Sequence, residues 1–389
     1  MGDQMLREVA RRLSPLIGEG DVLARLGGDE YALIVPGESS DAEYEAHGQR
    51  VLDALREPCY INAVRIEIRA SVGLAYAPRH ANNAEQLFKA ADAALYASKD
   101  AGRDTVRVFN EEMDALARHR SSVMTELGHA LERGELELHY QPQINLRTRA
   151  IVGFEALLRW RHSQRGMITP DEFIPTAEET GMIVPIGDWV LHQACLEAMR
   201  WPEKIFVAVN LSAVQFASRS LIESIKNALA HARLPADRLE LEITESSLIQ
   251  DSSGARDTIK ALRTIGAHVA LDDFGTGYSS LAYLRSFPLD KLKIDRAFTH
   301  ALERDEQGES SAIVRAIIEL ATALKLKATA EGVETASELE SLRAMGCHEM
   351  QGYYFAKPIP ADKIPVFLEE WQAGRGATLA QAISTTVVP

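Results

Sequence analysis

Cysteine is scarce in this 389-residue chain: Cys59, Cys195 and Cys347 are few, odd in number and far apart. That set excludes a disulfide framework or a zinc ribbon and suits a reducing compartment. No apolar run approaches the ~20 residues of a membrane span. The opening residues, Met-Gly-Asp-Gln-Met-Leu-Arg, hold no apolar signal-peptide core. The expectation is a soluble, cytoplasmic chain without a membrane span. Basic residues are in deficit too, 42 Lys and Arg against 56 Asp and Glu, for a formal net charge of −14. Such a chain has no general attraction for the phosphates of a long nucleic acid. What the sequence has in quantity is core: 46% apolar and 25% charged residues exclude fibrous, collagenous and disordered classes, and the length suits two domains.

Residues 1–109 read as mixed α and β. Leu6, Val9, Leu13 and Leu16 share a helical face, and the runs Val22–Leu26 and Tyr31–Val35 flank Gly27-Gly28-Asp29-Glu30, a hairpin signal. A helix near 41–57, a strand over Arg65–Ala75 and a helix over 84–99 follow. Residues 110–134 predict a connecting helix, 135–372 a second domain and 373–389 a flexible tail. In the second domain eight β-type runs recur: Leu136–Ile144, Ile151–Leu158, Ile205–Leu211, Leu239–Thr244, His268–Asp272, Lys291–Ile294, Lys327–Ala330 and Glu349–Phe355. The tight Arg147-Thr148-Arg149 turn pairs the first two antiparallel, and amphipathic helices separate the others. This alternation predicts an α/β fold, a (β/α)8 TIM-like barrel with an antiparallel first strand pair.

The ends of these strands carry the chemistry. The second run reaches Glu155 and Arg159, the third Asn210, the fourth Glu242, the fifth Asp272-Asp273, the sixth Lys293 and Asp295, and the seventh Glu331, with Gln351 in the eighth. In a barrel these ends share one mouth, where active sites are built. One polar strand end is an ordinary cap; five clustered carboxylates repel unless cations sit among them. Carboxylates with one amide carbonyl suit hard ions, Mg²⁺ or Mn²⁺, and two such ions activate water for in-line attack at phosphorus. Residue chemistry thus points to a metal-dependent phosphoryl hydrolase.

Glu155-Ala156-Leu157, within Phe154–Trp160, resembles the signature of the EAL-domain cyclic-di-GMP phosphodiesterases. The other ordered blocks are Tyr140-Gln141-Pro142, Val209-Asn210-Leu211-Ser212, Glu242-Ile243-Thr244-Glu245, Asp272-Asp273-Phe274-Gly275-Thr276-Gly277, Lys293-Ile294-Asp295, Glu331-Gly332-Val333-Glu334 and Gln351-Gly352-Tyr353. The resemblance implies hydrolysis of cyclic-di-GMP to the linear dinucleotide pGpG with two ions, Mg²⁺ or Mn²⁺. Glu155, Asn210, Glu242 and Asp272 would hold one ion, and Asp272, Asp273 and Glu331 the second. Catalysis would fall to Glu155, Lys293, Asp273 and Glu331, with Lys293 orienting the attacking water. Gln141, Arg159, Asp295 and Gln351 would bind substrate. Glu245 and Glu334 would steady the loop after the fifth strand. Relatives of this kind also lead one to expect a homodimer through the barrel. The rival is a receptor that binds cyclic-di-GMP without cutting it; degenerate relatives of that sort lose metal ligands, and this sequence retains each one.

Arg25-Leu26-Gly27-Gly28-Asp29-Glu30-Tyr31 is similar to the hairpin of GGDEF diguanylate-cyclase domains, with Tyr31 in place of Phe; Tyr96-Ala97-Ser98-Lys99 and Gly102-Arg103 fit its later part. The chain opens part-way through that pattern, so a partial α+β domain without its first strand is expected. The product-inhibition Arg-x-x-Asp would fall at Gly18–Asp21, without its arginine. Gly27, Gly28, Asp29 and Glu30 are therefore expected to form a degenerate cyclase hairpin, leaving regulation as this domain's role.

Overall fold

The structure, a computed structural model, describes residues 2–37, 40–61, 64–102, 104–249, 252–275, 284, 286–302 and 308–374. Arg103, Thr276, Gly277 and the tail from 375 onward, all singled out from sequence, lie outside the described residues. The chain divides into two compact units, Met1–Val123 and Met124–Pro389.

In the first unit, helix α1 (Gly2–Leu13) precedes strands β1 (Val22–Gly27) and β2 (Glu30–Ile34). These pair antiparallel, Val22 opposite Ile34 and Arg25 opposite Tyr31, and form a two-stranded sheet among the described residues. Helix α2 (Asp41–Arg56) starts at a capping box in which Ser40 and Glu43 satisfy each other's backbone N–H. Strands β3 (Cys59–Ile61) and β4 (Val64–Ile66) pair antiparallel, and β5 (Val72–Leu74) pairs parallel with β6 (Val106–Val108). The one strand expected over Arg65–Ala75 is thus two short ones. Helix α3 (Ala84–Asp100) lies on β5 so closely that a Cβ at Gly73 would sit 2.1 Å from the backbone nitrogen of Leu95. Only glycine permits that approach. Leu52, Leu55, Ala90, Ala93 and Ala94 are buried in this unit.

Helix α4 (Glu111–Ala130) accounts for most of the expected connecting segment, and the division between the units falls within it. Glu111, Glu112 and Asp114 in its first turn favour the positive end of the helix dipole. Past its end, the left-handed Gly134 allows the N–H of Glu135 to reach the carbonyl of Ala130.

The second unit is a closed eight-stranded barrel. Its staves are β7 (Leu136–Asn145), β8 (Ile151–His162), β10 (Phe206–Leu211), β11 (Leu239–Thr244), β12 (His268–Phe274), β13 (Lys291–Ile294), β14 (Lys327–Ala330) and β15 (Glu349–Met350). The outlying strands β9 (Gly166–Ile168) and β16 (Ile359–Pro360) extend β8 and β7 at the margin. β7 runs antiparallel to both β8 and β15, whereas the six other neighbouring pairs are parallel. The antiparallel opening read from sequence is present. Strands covered on both faces are apolar almost throughout, and β11 shows how polar residues intrude. Leu239, Leu241 and Ile243 are buried, and so are the alternating Glu240 and Glu242. Two residues apart, those glutamates share one face. Lys291 and Lys293 of β13 meet them, which marks that face as the barrel interior.

The eighth strand is shorter than expected from sequence, Glu349–Met350 rather than Glu349–Phe355. A Cβ at Gly352 would lie 2.1 Å from the carbonyl oxygen of Val333. Here the chain turns to exchange bonds with Val333, whose N–H reaches the carbonyl of Gln351 and whose carbonyl accepts from Tyr354. The strand ends where backbone meets backbone.

Candidate active site

Every barrel strand that sequence endowed with a polar end delivers it to one region. At its centre lies Lys293, fully buried on β13. Its Nζ is 2.6 Å from Oε2 of Glu242, 2.6 Å from Oε1 of Glu331, 3.2 Å from Oδ2 of Asp272 and 3.9 Å from Oε2 of Glu155. Burial alone would pull this ammonium down, but Asp272, Glu155, Glu242 and Glu331 together hold it well above the ordinary lysine value. The carboxylates respond unequally. Burial raises Glu242, and raises Glu331 to about 8, despite Lys293. Glu155 moves the other way: burial opposes its charge, but Lys293 and hydrogen bonds from Gln351 and Asn210 keep it below the usual value.

Asp272 and Asp273 are consecutive, and in a regular strand they would face opposite sides. Here β12 loses register with β13 between Leu271 and Phe274, and Asp273 takes a left-handed conformation (φ 55°). Aspartate tolerates that region better than most residues because its side chain is short and polar. The result is that carboxylate oxygens of Asp272, Asp273 and Glu331 all lie within 4.8 Å of one another, the one such acidic set among the described residues. Burial, followed by the charges of Asp272 and Asp295, raises Asp273. Hard carboxylate oxygens gathered this closely fit a hard divalent cation such as Mg²⁺ or Mn²⁺.

The remaining residues expected from sequence have distinct surroundings. Asn210 donates to Oε1 of Glu155 at 2.6 Å. Gln351 donates through Nε2 to Oε2 of Glu155 and to Oε1 of Gln141 (2.9 Å), while Gln141 donates to the carbonyl of Ala356. The two glutamines form a chain that ends on Glu155. Arg159, half-buried, donates to the carbonyl of Leu158 at 2.8 Å. Asp295 caps the helix Arg296–Ala301, accepting from the N–H of Ala297. Glu245 opens the short helix Glu245–Ile249 directly after β11. Glu334 lies 3.9 Å from Nε2 of His300, and its backbone N–H is held by Glu338. Of the segment after β12 assigned to these two acids, residues 276–283 and 285 lie outside the described residues. Gly27, Gly28, Asp29 and Glu30 are all exposed at the hairpin, where Arg25 donates twice to the carbonyl of Gly28.

Sequence reading passed over a second set of buried charges: Lys291, Glu240, Glu349 and the neutral Gln143. A signal for them was present. Each stands two residues from a residue already singled out, Lys293, Glu242, Gln351 and Gln141; for Lys291, Glu240 and Gln143 that spacing puts both residues on the same face of one strand.

The description "EAL domain" matches residues 124–358, and "Diguanylate cyclase, GGDEF domain" matches residues 1–105. The chain is 41% identical over 369 residues to a Pseudomonas aeruginosa protein named bifunctional diguanylate cyclase/cyclic di-GMP phosphodiesterase MucR, covering 94% of this chain and 53% of that protein. It is 39% identical over 373 residues to the Escherichia coli cyclic di-GMP phosphodiesterase PdeR, covering 95% and 55%. This chain therefore spans about half the length of these curated relatives. A solved structure described as the PaMucR phosphodiesterase in complex with c-di-GMP is 44% identical, with a TM-score of 0.60 over 62% of this chain and 99% of that one. None of the described helices is long and apolar enough to cross a membrane. A barrel closed by an antiparallel first stave, a mouth built from the expected blocks and a family match over residues 124–358 lead to one statement: this chain belongs to the EAL-domain family, with a GGDEF domain before it.

Proposed function

We propose that the barrel mouth hydrolyses cyclic-di-GMP to linear pGpG with two divalent ions, Mg²⁺ or Mn²⁺. The observation that carries this reading is the convergence of Asp272, Asp273 and Glu331 beside the buried ammonium of Lys293. Glu155, Asn210, Glu242 and Asp272 would hold one ion, and Asp272 would share the second with Asp273 and Glu331. Bound ions would supply an acidified water and neutralise charge on the phosphoryl oxygens. Lys293 orients that water and stabilises charge developing on phosphorus-bound oxygen. The water oxygen bonds to phosphorus and the P–O3′ bond breaks. The water's proton passes to the Asp273–Glu331 pair and then to the departing 3′ oxygen, so the ring opens to a 5′-phosphate and a 3′-hydroxyl. Arg159 holds the phosphate, with Gln351, Gln141 and Asp295 lining the substrate's place. Glu245 and Glu334 steady the loop after β12.

The relatives' names and the family's chemistry support the substrate; the retained carboxylates favour cutting over mere binding. The GGDEF part is inactive as a cyclase in this reading, because Asp29 and Glu30 join no third carboxylate among the described residues. The test is chromatography of cyclic-di-GMP after incubation with the protein and Mg²⁺ or Mn²⁺, with EDTA as control. Linear product that appears only with the metal is expected. Intact ligand that stays bound would mark a receptor and overturn the reading.

A further inference from the structure

Beneath Lys293 the barrel interior holds a second lysine, Lys291, also fully buried. An ammonium has three protons to donate, and Lys291 has three acceptors: Oε1 of Glu240 at 2.7 Å, Oε2 of Glu349 at 2.9 Å and Oε1 of Gln143 at 3.0 Å. The ring of Phe206 lies 4.4 Å from the same Nζ. This lower storey is neutralised within itself, since Glu349 also receives Lys327 at 3.0 Å. Among the described residues the one neutral side-chain acceptor on Lys291 is Gln143, and that residue reaches upward. Nε2 of Gln143 donates to Oε1 of Glu242 at 3.4 Å, while Oε2 of Glu242 faces Lys293.

Both neighbours demand the same orientation of that amide. A lysine can only donate, so the Gln143 oxygen must face Lys291; that turns the amide nitrogen toward Glu242, whose ionised carboxylate, the form that binds a metal, accepts from it. The side chain is fully buried, closed off from bulk solvent. Its backbone is fixed as well. Gln143 sits opposite Gly153 at the point where the β7–β8 ladder slips by one residue, and such bulges aim a side chain. Glu242 is therefore gripped at both oxygens, one by each storey.

We infer that Gln143, locked by Lys291, is a positioning residue that fixes the carboxylate of Glu242 for metal binding from beneath the site. The inference rests on the proposed role of Glu242 as a metal ligand. Partners of this kind behind a ligand typically alter metal affinity by about 10–100-fold when removed.

The test compares the full chain with Gln143→Met and Gln143→Ala, two variants that delete both halves of the amide, and with Glu242→Gln. Circular dichroism selects the folded variants, and calorimetric titration with Mn²⁺ alone, without nucleotide, gives the dissociation constant. For the Gln143 variants it should rise about tenfold, while kcat for cyclic-di-GMP at saturating Mn²⁺ stays within about threefold of wild type. A merely structural role would lower melting temperature without that split. An unchanged Mn²⁺ dissociation constant in a folded Gln143 variant overturns the inference. If Glu242→Gln weakens Mn²⁺ binding in the same series, the ligand role survives and only the positioning role falls. If Glu242→Gln also leaves affinity unchanged, both fall together.

Discussion

The molecule carries two acidic pairs beside glycines, Asp29-Glu30 after Gly27-Gly28 and Asp272-Asp273 before Phe274-Gly275, and their surroundings differ in kind. The first pair stands on an exposed hairpin whose sheet has two strands among the described residues. Water solvates those carboxylates, and each strand contributes to the turn alone. The second pair lies near the end of one stave of a closed barrel, where five other strands bring Glu155, Asn210, Glu242, Lys293 and Glu331 to the same place. Buried together, those groups shift one another's protonation and fix one another's geometry. An acidic motif becomes a site through convergence of several chain segments, and the motif itself does not supply that.

The comparison would break most visibly at Glu155. Glu155→Ala should lower cyclic-di-GMP hydrolysis by about a thousandfold, the scale on which one buried charge-stabilising group acts. It should also weaken Mn²⁺ binding. Turnover close to wild type at saturating Mg²⁺ would remove Glu155 from the site. Next comes Lys293→Ala, with kcat down by about a hundredfold and KM for cyclic-di-GMP changed little. The same variant leaves Glu242, Asp272 and Glu331 without their shared cation. Breaking a buried pair in this way costs about 3–5 kcal/mol, so metal-free protein should melt earlier and saturating Mn²⁺ should restore part of the loss. A rise in KM with kcat intact would contradict the role given to Lys293.

Much of this contrast was legible in the sequence because both halves of the barrel pattern are local. Alternation of period two and the polar strand ends identify staves and mouth together, as at Glu240-Leu241-Glu242 and Lys291-Leu292-Lys293. Two things were not local. Gly352 reads as strand, yet it marks the stop, because the close approach of Val333 comes from a distant segment. The lower storey was missed for a related reason: a lysine or glutamine one step behind a site residue looks like solvated surface until the barrel closes around it. In the first unit, the break between β4 and β5 has no evident cause in residues 67–71.

A milder effect is expected at the rim. Arg159 is half-buried and its one hydrogen bond among those described is to a neighbouring carbonyl. A guanidinium facing a phosphate contributes to ground-state binding as well as to the transition state, so Arg159→Ala should raise KM about tenfold with a smaller change in kcat. Steady-state kinetics against cyclic-di-GMP concentration decide this. Equal KM with lowered kcat would move Arg159 from holding substrate to acting on it.

The smallest effect belongs to the hairpin. Asp29 and Glu30 are exposed, and no third carboxylate completes a metal group with them among the described residues. Arg25, on the strand that leads into the turn, is engaged with the carbonyl of Gly28. Joining two GTP molecules needs metal held firmly against each triphosphate, and two solvated carboxylates bind a divalent ion weakly. Asp29→Asn and Glu30→Gln should therefore leave both melting temperature and cyclic-di-GMP hydrolysis at wild-type values. The sharper experiment removes the opposing activity first. In an Asp272→Ala background any cyclic-di-GMP formed would persist, so protein given GTP and Mg²⁺ should yield none by chromatography. Accumulating product that disappears with Glu30→Gln would show that the hairpin finds its missing ligands elsewhere and that exposure alone does not disarm an acidic pair.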